Sequence, residues 1–257
     1  MRIAIVGGAG TLGKHITAEL SRRGHEVRVL SRSSSAFPVD LSTGAGLETA
    51  LTGCSTVVDA SNSQRKARQV LIDGTSRLLA AEQRAGVGHH VCVSIVGCDQ
   101  VPVAYYRVKT AQEQLVQGGP VPWSIVRATQ FHELAASLFA ASARYRVLPA
   151  PHLPLQPVAA AEVASAVATV AEGDPAVGRI QVVGPEVSNV ADLARTWRSV
   201  TGRRAILVRV PLPGRVGREL LAGALTTSQA DFVGTIVFRD WLASADGAPP
   251  NRPASGG

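Results

Sequence analysis

The sequence predicts an α/β chain folded on a doubly wound parallel sheet, and three observations predict it. Short β-branched apolar runs alternate with segments of helical length from residue 2 to residue 127. The runs are apolar almost throughout rather than at every second position, as strands covered on both faces require. A glycine-rich string falls where the first run meets the first helical segment, at a point where the chain must turn sharply from strand into helix.

The elements follow in order. Arg2, Ile3, Ala4, Ile5 and Val6 form the first strand, and a helix is predicted over 12–23, with Leu12, Ile16 and Leu20 on its buried face and Gly24 ending it. The second strand is 27–30. A short strand is expected at 37–41, a helix at 47–51 stopping at Gly53, and a third main strand at 55–60. A long helix runs through Val70, Leu78, Leu79 and Ala85 to Gly86, then come a strand over 91–96, a helix over 105–117 and a strand over 123–127. Beyond Ala128 the alternation loosens into an alanine-rich helix at 129–143, a proline-broken loop at 147–157, a helix at 161–171, a strand at 179–183, a helix at 190–200 and a short strand at 205–210. Residues 245–257, rich in Pro, Gly, Ala and Ser, are expected to be disordered.

The string Gly7-Gly8-Ala9-Gly10-Thr11-Leu12-Gly13 stands in the strand, turn, helix, strand context that a dinucleotide clamp needs. Its glycines allow a tight turn and close approach of backbone N–H groups to a pyrophosphate, and the helix opening there aims its positive end at the phosphates. Gly7, Gly10, Thr11, Leu12 and Gly13 are therefore cofactor-binding candidates. The second strand ends in Leu30-Ser31-Arg32-Ser33-Ser34, without the acid that would hold a ribose 2′-hydroxyl. Arg32 suits a 2′-phosphate, with Ser31 and Ser33 offering hydroxyls, so the expected cofactor is NADP(H). Asp40 is placed either to accept from an adenine amino group or to cap its own turn. Ala60, Ser61 and Asn62, at the carboxyl end of the third main strand, face the crevice where doubly wound sheets bind ligands.

Tyr105 and Lys109 lie four apart at the start of a helix, on one face. A lysine ammonium beside a tyrosine hydroxyl stabilises the phenolate, so Lys109 is expected to lower the pKa of Tyr105 and to hydrogen-bond the nicotinamide ribose. Tyr106 is the rival proton donor, three residues from the same lysine. Ser94, ending the preceding strand, is a candidate to hold a substrate oxygen.

Taken together, the glycine string, Arg-Val-Leu-Ser-Arg ending at Arg32, Val93-Ser94-Ile95-Val96-Gly97, Tyr105-Tyr106-Arg107-Val108-Lys109 and Pro122 to Phe131 occur in a fixed order. In that order they resemble the NmrA-like, atypical short-chain dehydrogenase/reductases, over roughly residues 1–185. The resemblance implies a Rossmann-like sheet with a small C-terminal substrate-binding region, NADP preference, Tyr105 as proton donor, Lys109 as its electrostatic partner and Ser94 as polariser. It also implies that Thr129, Gln130, Phe131 and His132 form the first wall of the substrate pocket. Some members of this family bind NADP(H) as a redox signal without turnover.

Composition narrows the classes. The chain has 257 residues, 46% of them hydrophobic and only 4% aromatic, which suits helices packed closely on a parallel sheet. One domain is expected over 1–244, with a nucleotide-binding core at 1–128 and capping segments at 129–157 and 185–244. The net charge of +7 is spread along the chain with no run of five basic residues, so nucleic acid is not expected as a partner. No apolar run approaches the ~20 residues of a membrane span, which argues against a membrane partner and for a cytoplasmic location. Cys54, Cys92 and Cys98 read as reduced core thiols, and no ligand cluster suggests a metal. The sequence thus reads as an NADPH-dependent oxidoreductase, monomeric or homodimeric, acting on a carbonyl or quinone group of a small molecule. A cofactor-sensing regulator and an epimerase or isomerase without net redox change are the alternatives.

Overall fold

A computed structural model describes Met1–Ser244, so the expectation for 245–257 lies outside the described residues. The described chain divides into two compact units. The first comprises Met1–Ala128, Ala160–Val182 and Thr227–Phe232; the second comprises Thr129–Ala159, Val183–Thr226 and the residues from Val233 onward.

In the first unit, β1 (Arg2–Val6), β2 (Glu26–Leu30), β3 (Thr56–Asp59), β4 (His89–Ile95), β5 (Trp123–Ala128) and β8 (Arg179–Val183) pair in parallel, in the spatial order β2, β1, β3, β4, β5, β8. β11 (Phe232–Val233) adds a short seventh strand beside β8. Strand order reverses at β1, which is flanked by β2 on one side and β3 on the other, and such a switch point opens a crevice beyond the strands' carboxyl ends. Ile3, Ala4, Ile5, Val57, Val58, Val91, Cys92, Ile125 and Val126 are buried, as double coverage of the sheet demands. The helices are α1 (Thr11–Arg22), α2 (Leu47–Leu51), α3 (Gly74–Ala85), α4 (Ala104–Gln117) and α6 (Ala160–Glu172).

Where sequence and structure differ, the causes are local. Residues 37–41 form two isolated bridges, Ser31 with Pro38 and Asp40 with Ala45, rather than a strand, because Pro38 has no N–H for a ladder. The long helix through Val70 opens as one π turn at Gln69–Asp73 before α3.

The second unit contains α5 (His132–Ala143), α7 (Val190–Thr201), α8 (Gly214–Leu221) and α9 (Phe238–Ala243). The 147–157 segment, expected to be loop, carries β6 (Val147–Pro149), paired with β10 (Ile206–Val208), and β7 (Pro154–Leu155), paired with β9 (Ser188–Asn189). Of its four prolines, Pro149 and Pro154 fall in two-stranded sheets, where no central ladder is broken. Phe139, Leu148, Trp197, Phe238 and Trp241 cluster as this unit's core.

Candidate functional site

The glycine turn is built from backbone contacts that no side chain would permit. Gly7 has φ +76°, and a Cβ there would lie 2.7 Å from the Ala60 carbonyl oxygen; a Cβ on Gly13 would lie 2.2 Å from the Gly7 carbonyl oxygen. Gly10 N donates to Gly7 O at 2.9 Å and closes the turn. At Gly10, the N-cap of α1, no side chain caps the helix, and the first turn holds no acidic residue. The N–H groups of Thr11, Leu12 and Gly13 thus carry the helix's positive end without an internal anion. Leu12 and Gly13 are buried and Thr11 is exposed.

The loop after β3 meets this turn at the switch point. Ala60 N donates to Val6 O at 3.0 Å, and Ser61 N donates to Oδ1 of the buried Asp59 at 2.9 Å. The Ser61 hydroxyl is buried without a hydrogen-bond partner. A buried orphan hydroxyl beside a turn whose space a Cβ would fill is what a bound dinucleotide requires, so the residues present fit the cofactor. At the end of β2, Arg32 is exposed, and the Ser31 and Ser33 hydroxyls lie 3.3 Å apart. Asp40 turns one oxygen back on its own loop, where Oδ1 accepts from Ser42 N at 2.8 Å and Ser42 Oγ at 2.7 Å. Those hydrogen bonds, aided by the charges of Arg32 and Lys66, hold its carboxyl below the usual range.

Tyr105 is brought to the same loop: its hydroxyl donates to Asn62 Oδ1 at 2.7 Å. Burial pushes the phenol up to about 12, with smaller contributions from Tyr106 and Cys98. The expected lowering by Lys109 is therefore corrected, for a geometric reason. Lys109 is buried and turned inward, where Nζ donates to Val93 O at 2.7 Å and to Gln112 Oε1 at 2.5 Å. Gln112 Nε2 in turn donates to Asp59 Oδ2 and to Thr75 Oγ1, both at 3.0 Å. Tyr106 packs against Tyr105 with ring centroids 6.1 Å apart, and burial raises its pKa as well.

Ser94 sits at the carboxyl end of β4, as expected, yet its hydroxyl faces inward. Ser94 Oγ donates to Glu113 Oε1 at 2.6 Å, while Arg127 Nη2 and Arg179 Nε donate to Glu113 Oε2 at 2.7 and 3.0 Å. Arg127 also reaches Asp99. The Ser94 donor is thus committed to a buried carboxylate.

The residues assigned to the pocket wall belong to the second unit, and their polar atoms are engaged within it. Thr129 Oγ1 accepts from Gly184 N at 3.3 Å, and Gln130 bonds both Leu225 O and Gln156 N. His132 is buried, donates from Nε2 to Ile236 O at 2.9 Å and packs on Phe238 and Trp241. Phe131 is half-buried and bridges to Val158.

Sequence reading missed Asp59, Thr75, Gln112 and Glu113. Gln112 and Glu113 had a signal: with Lys109 and Val116 they occupy one stripe of α4 at core spacing, and all four are buried. Polar residues in a core stripe point to an internal hydrogen-bond network.

A glycine turn at a switch point, opposite a loop with an orphan hydroxyl, defines a dinucleotide-binding α/β protein. The chain belongs to the NAD(P)H-binding family, whose model matches residues 7–174, more than half of the chain. That match agrees with the NAD(P)H-binding character implied by the resemblance to NmrA-like, atypical short-chain dehydrogenase/reductases. The chain superposes on a nucleoside-diphosphate-sugar epimerase from Staphylococcus aureus with a TM-score of 0.79 at 16% identity, covering 95% of this chain and 100% of that one. It superposes on an NADPH-dependent quinone oxidoreductase from Escherichia coli, solved with NADPH, with a TM-score of 0.76 at 16% identity, covering 94% of this chain and 98% of that one. At those identities the likeness shows the fold. In sequence it is 28% identical to the photosystem II assembly factor Ycf39 of Trieres chinensis over 149 residues, 52% of this chain and 47% of that protein. The chain therefore spans about half the length of that curated relative. Among the described residues no helix is long and apolar enough to cross a membrane.

Proposed function

We propose that the chain is an NADPH-dependent reductase of a carbonyl or quinone group in a small organic molecule, with Tyr105 as the proton donor. The observation that carries this reading is the 2.7 Å hydrogen bond from the Tyr105 hydroxyl to Asn62, on the loop that also holds the orphan Ser61 hydroxyl. The glycine turn, the first turn of α1 and the 60–62 loop would hold the pyrophosphate and ribose, and Arg32 with Ser31 and Ser33 the 2′-phosphate. When bound, NADPH supplies a hydride to the substrate carbon.

Tyr105 gives its proton to the substrate oxygen as negative charge develops there, and Asn62 Oδ1 fixes the direction of the hydroxyl beforehand. A phenol that keeps its proton up to about 12 suits the donor role in reduction, since it is fully protonated at neutral pH. As a base for alcohol oxidation it would be largely unavailable.

A second reading, an NADP(H)-binding regulator that acts through a protein partner, is favoured by the inward commitment of Ser94 and Lys109 and by the assembly-factor relative. One experiment separates the two. NADPH consumption is followed with a panel of quinones and ketones, and NADPH and NADH affinities are measured by fluorescence titration. The reductase reading expects turnover with at least one acceptor, tighter binding of NADPH than NADH, and loss of turnover in Tyr105→Phe with NADPH affinity almost unchanged. Tight NADPH binding with no turnover across the panel overturns it in favour of the regulator, and loss in Tyr106→Phe alone moves the donor by one residue.

A further inference from the structure

The buried chain that starts at Lys109 crosses from α4 to β3 and α3. Tyr105, Lys109 and Gln112 stand at i, i+4 and i+7 on α4, so one helix face carries the phenol, the ammonium and the amide. Gln112 is 0% exposed, Asp59 1%, Thr75 0% and Lys109 3%. An ammonium can only donate and a carboxylate can only accept, so an amide between them has one satisfying orientation: Oε1 toward Lys109 and Nε2 toward Asp59. That is the orientation observed, at 2.5 Å and 3.0 Å. Thr75 Oγ1 accepts from the same amide and donates to Asp59 Oδ2 at 3.4 Å, which completes the set. The other oxygen of Asp59 takes Ser61 N, and the next residue, Asn62, takes the Tyr105 hydroxyl. The circuit therefore leaves α4 at Lys109, passes through Gln112 and Asp59 to the 60–62 loop, and returns to α4 at Tyr105.

We infer that Gln112 is a positioning residue. It joins the buried Lys109 and Asp59 charges through one amide and so fixes the 60–62 loop against both the nucleotide and the phenol. The inference rests on the nucleotide-site reading given above and adds to it a residue outside the glycine turn and outside the Tyr-Lys pair. Its logic is polarity matching: donors and acceptors alternate along the circuit, and reversing one member leaves two acceptors or two donors facing each other in a dry interior.

The test is a polarity exchange in the full chain. Gln112→Glu sets a carboxylate against Asp59, and Asp59→Asn sets an amide N–H₂ against that of Gln112; a flip of either amide strands Lys109 or Ser61 N. In the double variant, the carboxylate introduced at position 112 accepts from both Lys109 and the amide introduced at position 59. The oxygen of that new amide still takes Ser61 N, and the net charge is unchanged. NADPH affinity is read by fluorescence titration at a temperature well below the melting point of each variant, with KM for NADPH and kcat taken wherever turnover is found. Each single variant is expected to weaken NADPH binding by about tenfold or more, with KM raised more than kcat is lowered, and the double variant to return within about threefold of wild type. A purely structural amide would lower melting temperatures without this split or this rescue. Singles that bind NADPH like wild type, or a double variant no better than the worse single, overturn the inference while leaving the reductase reading intact. Wild-type chain that binds no NADPH sinks that reading itself. If the singles do not fold, Gln112→Met keeps the volume and removes both hydrogen bonds, and unchanged NADPH affinity in that variant is equally decisive against Gln112.

Discussion

Glu113 is a carboxylate buried among donors. Burial by itself raises its pKa, but the hydrogen bonds from Arg127, Ser94 and Arg179 outweigh that and hold it below the ordinary 4.5. A carboxyl whose folded value is depressed contributes stability that is present above the ordinary value and is lost as pH falls through the folded one. Glu113→Gln should therefore destabilise the chain at neutral pH, at most by the ~3–5 kcal/mol of a broken buried pair, because Arg127 keeps Asp99. The gap between wild type and variant should shrink as pH falls below the ordinary carboxylate value, measured as melting temperature against pH. A gap that stays constant across that fall in pH would show that Glu113 carries no excess charge stabilisation. Glu113 and Gln112 also mark the limit of what single residues disclose. Tyr105 and Lys109 are legible because their relation is a spacing of four along one helix, whereas the partners of Gln112 outside that helix, Thr75 and Asp59, lie 37 and 53 positions away. Only the anomaly of polar side chains at core spacing on α4 was available beforehand.

At the scale of elements, the glycine turn behaves as one object whose tolerance can be ranked. A Cβ on Gly13 meets backbone at 2.2 Å and 2.6 Å, from Gly7 O and Gly8 Cα, whereas on Gly10 the only contact is Gly7 O at 3.2 Å. Backbone cannot swing aside as a long side chain can, so Gly13→Ala must part α1 from the turn, with an overpacking cost of about 1–3 kcal/mol. NADPH affinity should fall at least about tenfold in Gly13→Ala and much less in Gly10→Ala, by fluorescence titration. Equal losses would mean that the turn reads chain flexibility rather than space. The first unit's strands were legible as continuous apolar runs, covered on both faces, and its helices by apolar stripes at helical spacing. In the second unit β6 and β7 find partners at β10 and β9, tens of residues on, and each is three residues or fewer. A pattern that short has no period to detect. Its core rests instead on scattered aromatics such as Trp197 and Trp241, whose meeting no local window contains.

For the whole molecule, the sequence shows a charge of +7 but not where it accumulates. Among the described residues the first unit holds 15 basic against 13 acidic side chains, and the second 10 against 5, giving +2 and +5. Four of the second unit's arginines, Arg146, Arg198, Arg203 and Arg204, line one concavity of about 520 Å³, with no acidic side chain in the lining. The carboxyl end of α7 lies among them and offers only the partial negative charge of its last carbonyls, while Arg198 donates to Ala205 O, beyond the helix. Like charges gathered this way oppose folding, and any anion that neutralises them must stabilise the folded chain by mass action. Addition of about 3 mM sulfate, at an ionic strength of about 10 mM matched with chloride, should therefore raise the melting temperature, since screening is weak at a Debye length of ~30 Å. The rise should be lost in Arg203→Gln with Arg204→Gln, whose basal melting temperature should not fall. An equal rise in wild type and variant would place the anion effect elsewhere on the chain, and a lower basal value would mean that these guanidiniums hold the α7 terminus more strongly than they repel one another.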